Sequence, residues 1–371
     1  MQNILALIYS SEFDEKNYDT LCKYRPDYML PFGCRYRIID FTLSNITNHN
    51  ISSVILYGGE PLRSTLDHVG DGRNWELNRR SGGLMINPPV YNRSKLANEI
   101  ETYYNTMKHF MQNKREYVYI TNPMYISKVN ISDAYEQMQE QGLDALIFTQ
   151  KVKDDYGYYL NRRIINTDEN ENPVSLGINL GLEDEINLFT GSILIKKDIF
   201  MDLLRYSIEK NNATNILDAL FKYPKKKTMG MYRSKEKLNV IMDTLTYFEA
   251  SFNLLDRDYF NEIFYEQGMV YTKSKDEPST EYLKGSKVRN SLVANGALIE
   301  GEIENSIIFR GVKVKKGAVI KNSIIFQNSE IDEGAILNHV ITDKDTKVHE
   351  DVRLFGNRTH PYLTDKGEHI N

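Results

Sequence analysis

The sequence predicts an α/β domain on a mostly parallel sheet, followed by a parallel β-helix. Three observations predict it: apolar runs alternating with amphipathic stretches up to residue 250, a change of composition after residue 284, and a repeat beyond that point.

In the first part, Ile4–Tyr9, Val54–Tyr57, Tyr117–Ile120 and Ala145–Thr149 read as buried strands. The stretches Ile39–Asn48, Ile100–Gln112 and Ser132–Gln141 between them are helix-compatible, and Ser132-Asp133 is expected to cap the last. Near-continuous apolar strands separated by helices argue for a sheet covered on both faces. Residues 1–250 are assigned to this domain. Residues 251–283 form a linker, with a helical start at Ala250–Leu255 and a polar connector at Lys273–Ser279.

From residue 284 the chain repeats. Arg289-Asn290-Ser291-Leu292-Val293 returns as Glu304-Asn305-Ser306-Ile307-Ile308, as Lys321-Asn322-Ser323-Ile324-Ile325, and more loosely as Leu337-Asn338-His339-Val340-Ile341. Gly296-Ala297, Gly317-Ala318 and Gly334-Ala335 fall between these units. So much Gly, Asn and β-branched residue is hostile to helices. Hexapeptide-like repeats grouped into coils of about 16–18 residues instead predict a β-helix over 284–371, each coil burying its aliphatics against the next. Such solenoids commonly assemble subunits.

Composition narrows the function. A 371-residue chain exceeds one ordinary core, and 41% hydrophobic with 26% charged residues is a globular balance. A net charge of −5 argues against nucleic acid as a partner, although Arg35 with Arg37, Arg79-Arg80 and Lys225–Lys227 are local basic clusters. Cys22 and Cys34 form no CxxC pair, which suits a reducing compartment, and no His/Cys set has zinc spacing. Met1–Ile8 reads as a strand rather than a signal peptide, and no run reaches membrane-spanning length, so a cytoplasmic location is expected.

Ligands of open α/β sheets bind beyond the carboxyl ends of the strands, and phosphates there need glycine-rich backbone. After the first strand this chain reads Ser10-Ser11-Glu12-Phe13-Asp14-Glu15, and its first glycine is Gly33. A triphosphate would meet negative charge.

Arg25-Pro26, Leu30–Asn45 (LPFGCRYRIIDFTLSN) and His68-Val69-Gly70-Asp71-Gly72, with Trp75, Leu77, Arg79, Gly82-Gly83 and Pro88-Pro89, resemble bacterial ADP-glucose pyrophosphorylase (glucose-1-phosphate adenylyltransferase). With the C-terminal repeats, the resemblance covers nearly the whole chain. It implies a nucleotidyltransferase-type, Rossmann-like domain joined to a left-handed β-helix, in a tetrameric enzyme of glycogen synthesis. Within the family, the chain is most similar to the D-type subunit, a partner of the catalytic subunit in Gram-positive bacteria.

The departures from the active pattern fall on its chemistry. Where the family has a Gly-rich loop with an arginine, Tyr9-Ser10-Ser11 and the acidic run stand. Where it has a magnesium-holding aspartate in Gly-Asp-His, the chain has Thr121-Asn122-Pro123. Asparagine keeps the shape but lacks the charge that a hard cation requires. Met242-Asp243-Thr244-Leu245 aligns with the second metal motif, putting Ile241 at the metal position and leaving Asp243 as a possible displaced ligand. Ala97-Asn98-Glu99 aligns with the Gly-Thr-Ala motif, and the Glu-Lys-Pro that grips the sugar phosphate is absent from Ser175–Asp184. Loss of one such contact costs on the order of a thousandfold in rate, so losing several in one pocket abolishes turnover.

No catalytic residue and no metal or other cofactor is therefore expected on this chain, Mg2+ belonging to the catalytic partner. Arg35 and Arg37, one residue apart, are the candidate effector-binding residues for an anion such as phosphate or a sugar phosphate. His68 is expected to hydrogen-bond within the fold. The resemblance implies a regulatory subunit activating a catalytic homologue in a heterotetramer. The alternatives are a weakly active enzyme using Asp243 and a stand-alone sugar-phosphate sensor.

Overall fold

The computed structural model describes residues 3–10, 15–79, 82–92 and 95–371. Met1, Gln2, Arg80 and the loop residues Ser11, Glu12, Phe13 and Asp14, on which part of the phosphate-loop argument rests, lie outside the described residues.

The N-terminal sheet grows from β1 (Ile4–Ile8), every residue of which is buried, so a continuous apolar run is what its position demands. Helix α1 (Ile38–Asn48) leads to β2 (Ser53–Tyr57) and then β3 (Gly83–Asn87). Helix α2 (Glu99–Asn105) precedes β4 (Tyr117–Thr121). These four strands run parallel in the order β3-β2-β1-β4. The next turn of chain gives α3 (Ile131–Glu140), β5 (Ala145–Val152) and the hairpin β6 (Arg163–Thr167) and β7 (Pro173–Ile178). Then come β8 (Ile186–Lys196), α4 (Lys197–Lys210), α5 (Ile216–Lys222) and β9 (Met229–Arg233). Strand β8 runs antiparallel to β4, β5 and β6, and β9 extends the sheet parallel to β5.

β8 reaches three neighbours because it bulges at Gly191 (φ +78°). A side chain there would drive into the Tyr125 ring, 2.5 Å from the added carbon. The expected helix at Ile100–Gln112 is two helices broken at Thr106, the second being Met107–Gln112. Helix α3 is capped by Asn130, whose side chain accepts the Asp133 N–H at 3.1 Å, rather than by Ser132-Asp133. Two further helices, α6 (Thr244–Asn253) and α7 (Arg257–Tyr265), follow the sheet.

The C-terminal part is a three-sided parallel β-helix: one sheet of six short strands and two of five, starting at Glu281–Tyr282 and ending at His369–Ile370. Ile299, Ile303, Ile320, Ile331, Leu337 and Val348 point inward and are buried. The Asn-Ser repeat builds one corner. Asn290, Asn305 and Asn322 adopt positive φ, which asparagine tolerates best among side-chain-bearing residues, and their amides hydrogen-bond from coil to coil at 2.6–3.0 Å. Ser291 and Ser306 each accept the N–H of the serine one coil on, at 3.0 and 3.1 Å. In the fourth unit His339, not Asn338, takes the corner (φ +54°), while Asn338 reaches the ladder from the strand position paired with Lys321.

The two parts share a core. Ile307, Phe309, Ile324, Phe326 and Ile341 pack into the cluster that contains Phe32 and Tyr247, with the Tyr247 and Phe326 rings 6.5 Å apart. The Arg25 guanidinium, 3% exposed, donates to both carboxylate oxygens of Asp343 at 2.7 and 2.9 Å across that seam.

Candidate functional site

The carboxyl ends of β1 and β4 open into a cleft of about 340 Å3, where an open α/β sheet holds its ligand. Its lining is committed to the chain itself. Tyr9 donates to the Ala97 carbonyl at 3.3 Å and packs against Tyr57 and Tyr103. Glu99 accepts the Ile216 N–H at 3.1 Å, and Arg163 donates to Asn215 at 2.7 Å. An incoming phosphate would meet a carboxylate and an arginine that already has a partner.

Asn122 and Ile241, assigned from sequence to two metal positions, do come together around Met124. Asn122 Oδ1 accepts the Met124 N–H at 2.9 Å, closing a turn at the end of β4. Ile241, fully buried, donates its N–H to the Met124 carbonyl at 2.9 Å, and its own carbonyl accepts the Tyr18 hydroxyl at 2.9 Å. Tyr18 comes from the Glu15–Cys22 segment that follows β1, so this segment covers the Ile241 carbonyl with a phenol. Asp243 caps α6: its Oδ1 accepts from Thr246 N at 2.8 Å and from Thr246 Oγ1 at 2.7 Å. Among the described residues, no group of three or more His, Cys, Asp or Glu is placed to hold a metal ion. These side chains do not fit Mg2+. Ser10 donates to the buried Asp27 at 2.7 Å, and burial pushes that carboxyl up to about 6.

A second constellation lies at the seam between sheet domain and β-helix. Arg37, at the start of α1, donates from its guanidinium to the Met29 carbonyl at 2.7 Å. Burial, with Arg25 nearby, pushes it down to about 10. Lys344 comes from the β-helix, and burial followed by the charges of Arg37 and Arg25 pushes its amine down to about 6. Asp343 acts in the opposite sense and Lys275 in the same sense. Arg35 is exposed, over the Tyr36 ring at 5.1 Å. It adds unfavourably to the buried Arg310, which is lowered chiefly by burial and has Glu277 at 3.6 Å. Arg35 and Arg37 thus have different surroundings rather than forming one clamp, and each faces a cation from the β-helix. Lys344, Arg310 and Lys275 were not singled out from sequence. They are more than 230 residues away along the chain, and only the fold brings them to Arg35 and Arg37.

His68 is structural: its Nε2 lies 2.6 Å from Asp40 Oδ1, its ring packs on Trp75, and Asp40 Oδ2 accepts the Arg37 N–H at 3.0 Å. No helix is long and apolar enough to cross a membrane among the described residues.

A nucleotidyltransferase-type domain whose core runs into a left-handed, hexapeptide β-helix defines the class. The family described as "GlmU-like, C-terminal hexapeptide" matches residues 278–360. The glycogen biosynthesis protein GlgD of Bacillus subtilis (strain 168) is 33% identical over 340 residues, covering 91% of this chain and 89% of the relative. That of Geobacillus stearothermophilus is 32% identical, covering 81% and 78%. Glucose-1-phosphate adenylyltransferase of Clostridium perfringens (strain 13 / Type A) is 29% identical, covering 78% and 75%. The chain belongs to the glycogen-biosynthesis family of GlgD, related to ADP-glucose pyrophosphorylase.

Proposed function

We propose that this chain is a catalytically silent regulatory subunit of glucose-1-phosphate adenylyltransferase. The partner makes ADP-glucose and pyrophosphate from ATP and glucose-1-phosphate, and this chain raises its activity within a cytoplasmic hetero-oligomer, most simply a heterotetramer. The observation that carries the reading is the ring of contacts around Met124. Asn122 closes a turn, Ile241 stands buried beside it, and Tyr18 seals the Ile241 carbonyl. Adenylyl transfer relies on positioning and on neutralising phosphate charge with a metal and basic groups; here the described residues form no metal-binding cluster, and the arginine lining the cleft is bonded to Asn215. The engagement of Asp243 in its helix cap weighs against the weakly active alternative.

The same reading assigns the effector site to the seam. Cations forced close together and partly desolvated are costly unless an anion joins them, and Arg37 and Lys344 are held in that condition by both domains. A phosphate or sugar phosphate there would link the β-helix to α1, and its differential affinity for two arrangements of that seam would be the regulatory signal. The test is the rate of ADP-glucose formation by the mixture of this chain and the catalytic homologue, with and without phosphate. A phosphate effect present with the wild type and absent with Lys344→Ala supports the assignment. An unchanged effect in the variant removes it.

A further inference from the structure

The two loops at the open end of the β6–β7 hairpin expose apolar side chains that this fold does not use. Tyr156 is 86% exposed and Leu182 85%, and Tyr158, Leu160, Ile178 and Leu180 are exposed with them. Leaving such a side chain in water forgoes about 1.5–3 kcal/mol relative to burying it, so monomeric surfaces seldom concentrate them.

The loops are one rigid surface. Asn179, 2% exposed, rivets them: its amide nitrogen donates to Asp154 at 2.8 Å and to the Tyr159 carbonyl at 2.9 Å, and its oxygen accepts the Gly181 N–H at 2.9 Å. Backbone bonds of 2.8 Å run both ways, from Asn161 N–H to the Asn179 carbonyl and from Asn179 N–H to the Arg162 carbonyl. Gly181 packs so close to Leu160 that an added carbon would lie 3.0 Å from it, which brings the apolar residues of the two loops side by side.

The border of this patch is acidic. Residues 151–185 contain eight Asp and Glu against four Lys and Arg, a net −4 within a chain whose whole net charge is −5. Glu171 and Glu185 are spent on Arg233 and Lys151, whereas Asp155, Glu183 and Asp184 are exposed and directly flank Tyr156 and Leu182. A two-fold contact between copies would press one acidic rim against another, which disfavours a second copy of this chain. Charge complementarity instead selects a partner with an apolar patch bordered by lysines and arginines.

We propose that the surface formed by Tyr156, Tyr158, Leu160, Ile178, Leu180 and Leu182 docks a different protein chain whose contact face is apolar with a basic rim. Resting on the function proposed above, that chain is the catalytic homologue. Half of the patch, Ile178, Leu180 and Leu182, lies in the window Ser175–Asp184 from which the sugar-phosphate grip is missing, so a segment released from catalysis serves association.

The experiment mixes the full chain with the glucose-1-phosphate adenylyltransferase of the same organism and follows sedimentation velocity and the Kd. The wild type is compared with Leu180→Asp/Leu182→Asp and with Glu183→Lys/Asp184→Lys, the thermal midpoint being recorded for each. Expected are a wild-type complex, at least tenfold weaker binding by the leucine variant with an unchanged midpoint, and slower, less salt-dependent association by the charge-reversed one. An equally tight complex with the leucine variant overturns the proposal while leaving the hetero-oligomer intact. Self-association of the wild type lost in the leucine variant overturns the choice of partner. Absence of any wild-type complex overturns both this proposal and the function on which it rests.

Discussion

The cleft at the sheet edge and the seam between the domains use the same kinds of charged side chain in opposite ways. In the cleft, Glu99 accepts a backbone N–H and Arg163 donates to Asn215. At the seam, Arg37, Arg25 and Lys275 all bear on Lys344, and the Arg25 guanidinium is tied to Asp343 while Asp40 and Asp67 bear on Arg37. A site whose charges are satisfied internally has little left to offer a substrate. A site holding an excess of one sign under partial burial is poised for a ligand of the other sign. On the function proposed above, the role of this chain lies at the junction rather than at the sheet edge.

The largest way to break the comparison is to cut the seam. Arg25→Ala strands the buried Asp343 carboxylate and is expected to cost about 3–5 kcal/mol in denaturant unfolding, provided both domains unfold together. Two separate transitions, with the first near its wild-type midpoint, would show that the seam does not couple the domains.

Next in size is the response to pH. Lys344 is pushed down to about 6 from an ordinary 10.5. Between these values the unfolded chain carries a proton that the native chain lacks, so this group makes the unliganded protein gain stability as pH rises from 6 towards 10.5. A bound anion needs the charged amine, so the sign reverses for binding. Sulfate, whose charge is constant over this range, should bind more tightly as pH falls from 8 to 6, by up to about tenfold per unit, with proton uptake measurable by calorimetry in different buffers. Lys344→Met should remove the pH dependence and the thermal stabilisation by sulfate together. Sulfate affinity that is flat with pH would locate the anion elsewhere.

How much of this was legible beforehand differs between the regions. Asn122 and Ile241 sit in recognisable sequence contexts, and the fold brings both to Met124. What covers the Ile241 carbonyl was not readable. Tyr18 lies in a polar stretch without periodicity, and only the fold shows that its hydroxyl reaches the carbonyl of a residue 223 positions away. The β-helix was legible because each coil repeats the same Asn-Ser corner. The repeat misled by one residue in the fourth unit, where asparagine and histidine exchange roles. At the seam the sequence offered Arg35 and Arg37 as a pair because they are neighbours in the chain. Tertiary packing gives them different surroundings, half-burying one against the Met29 carbonyl and leaving the other exposed over an aromatic ring. Lys344 gave no signal: a lysine between two aspartates reads as solvated surface until the fold covers it.

Smaller effects sharpen the description of each region. Asn122→Asp keeps an oxygen for the Met124 N–H and should change stability by no more than about 1 kcal/mol, without restoring magnesium-dependent turnover, because Ile241 and Tyr18 remain. Ser306→Ala removes an acceptor for the Ser323 N–H and a donor to the Glu304 carbonyl within the β-helix. It should cost about 1–3 kcal/mol while leaving sulfate binding at the seam unaltered.

The central claim is most directly tested by pyrophosphate release from ATP and glucose-1-phosphate with magnesium, measured for this chain alone, its catalytic homologue alone and the two together. No release by this chain alone is expected, with a mixture faster than the homologue at equal catalytic concentration. Sustained magnesium-dependent release by this chain alone would contradict it, because a cleft whose polar groups are already paired would then be performing the chemistry.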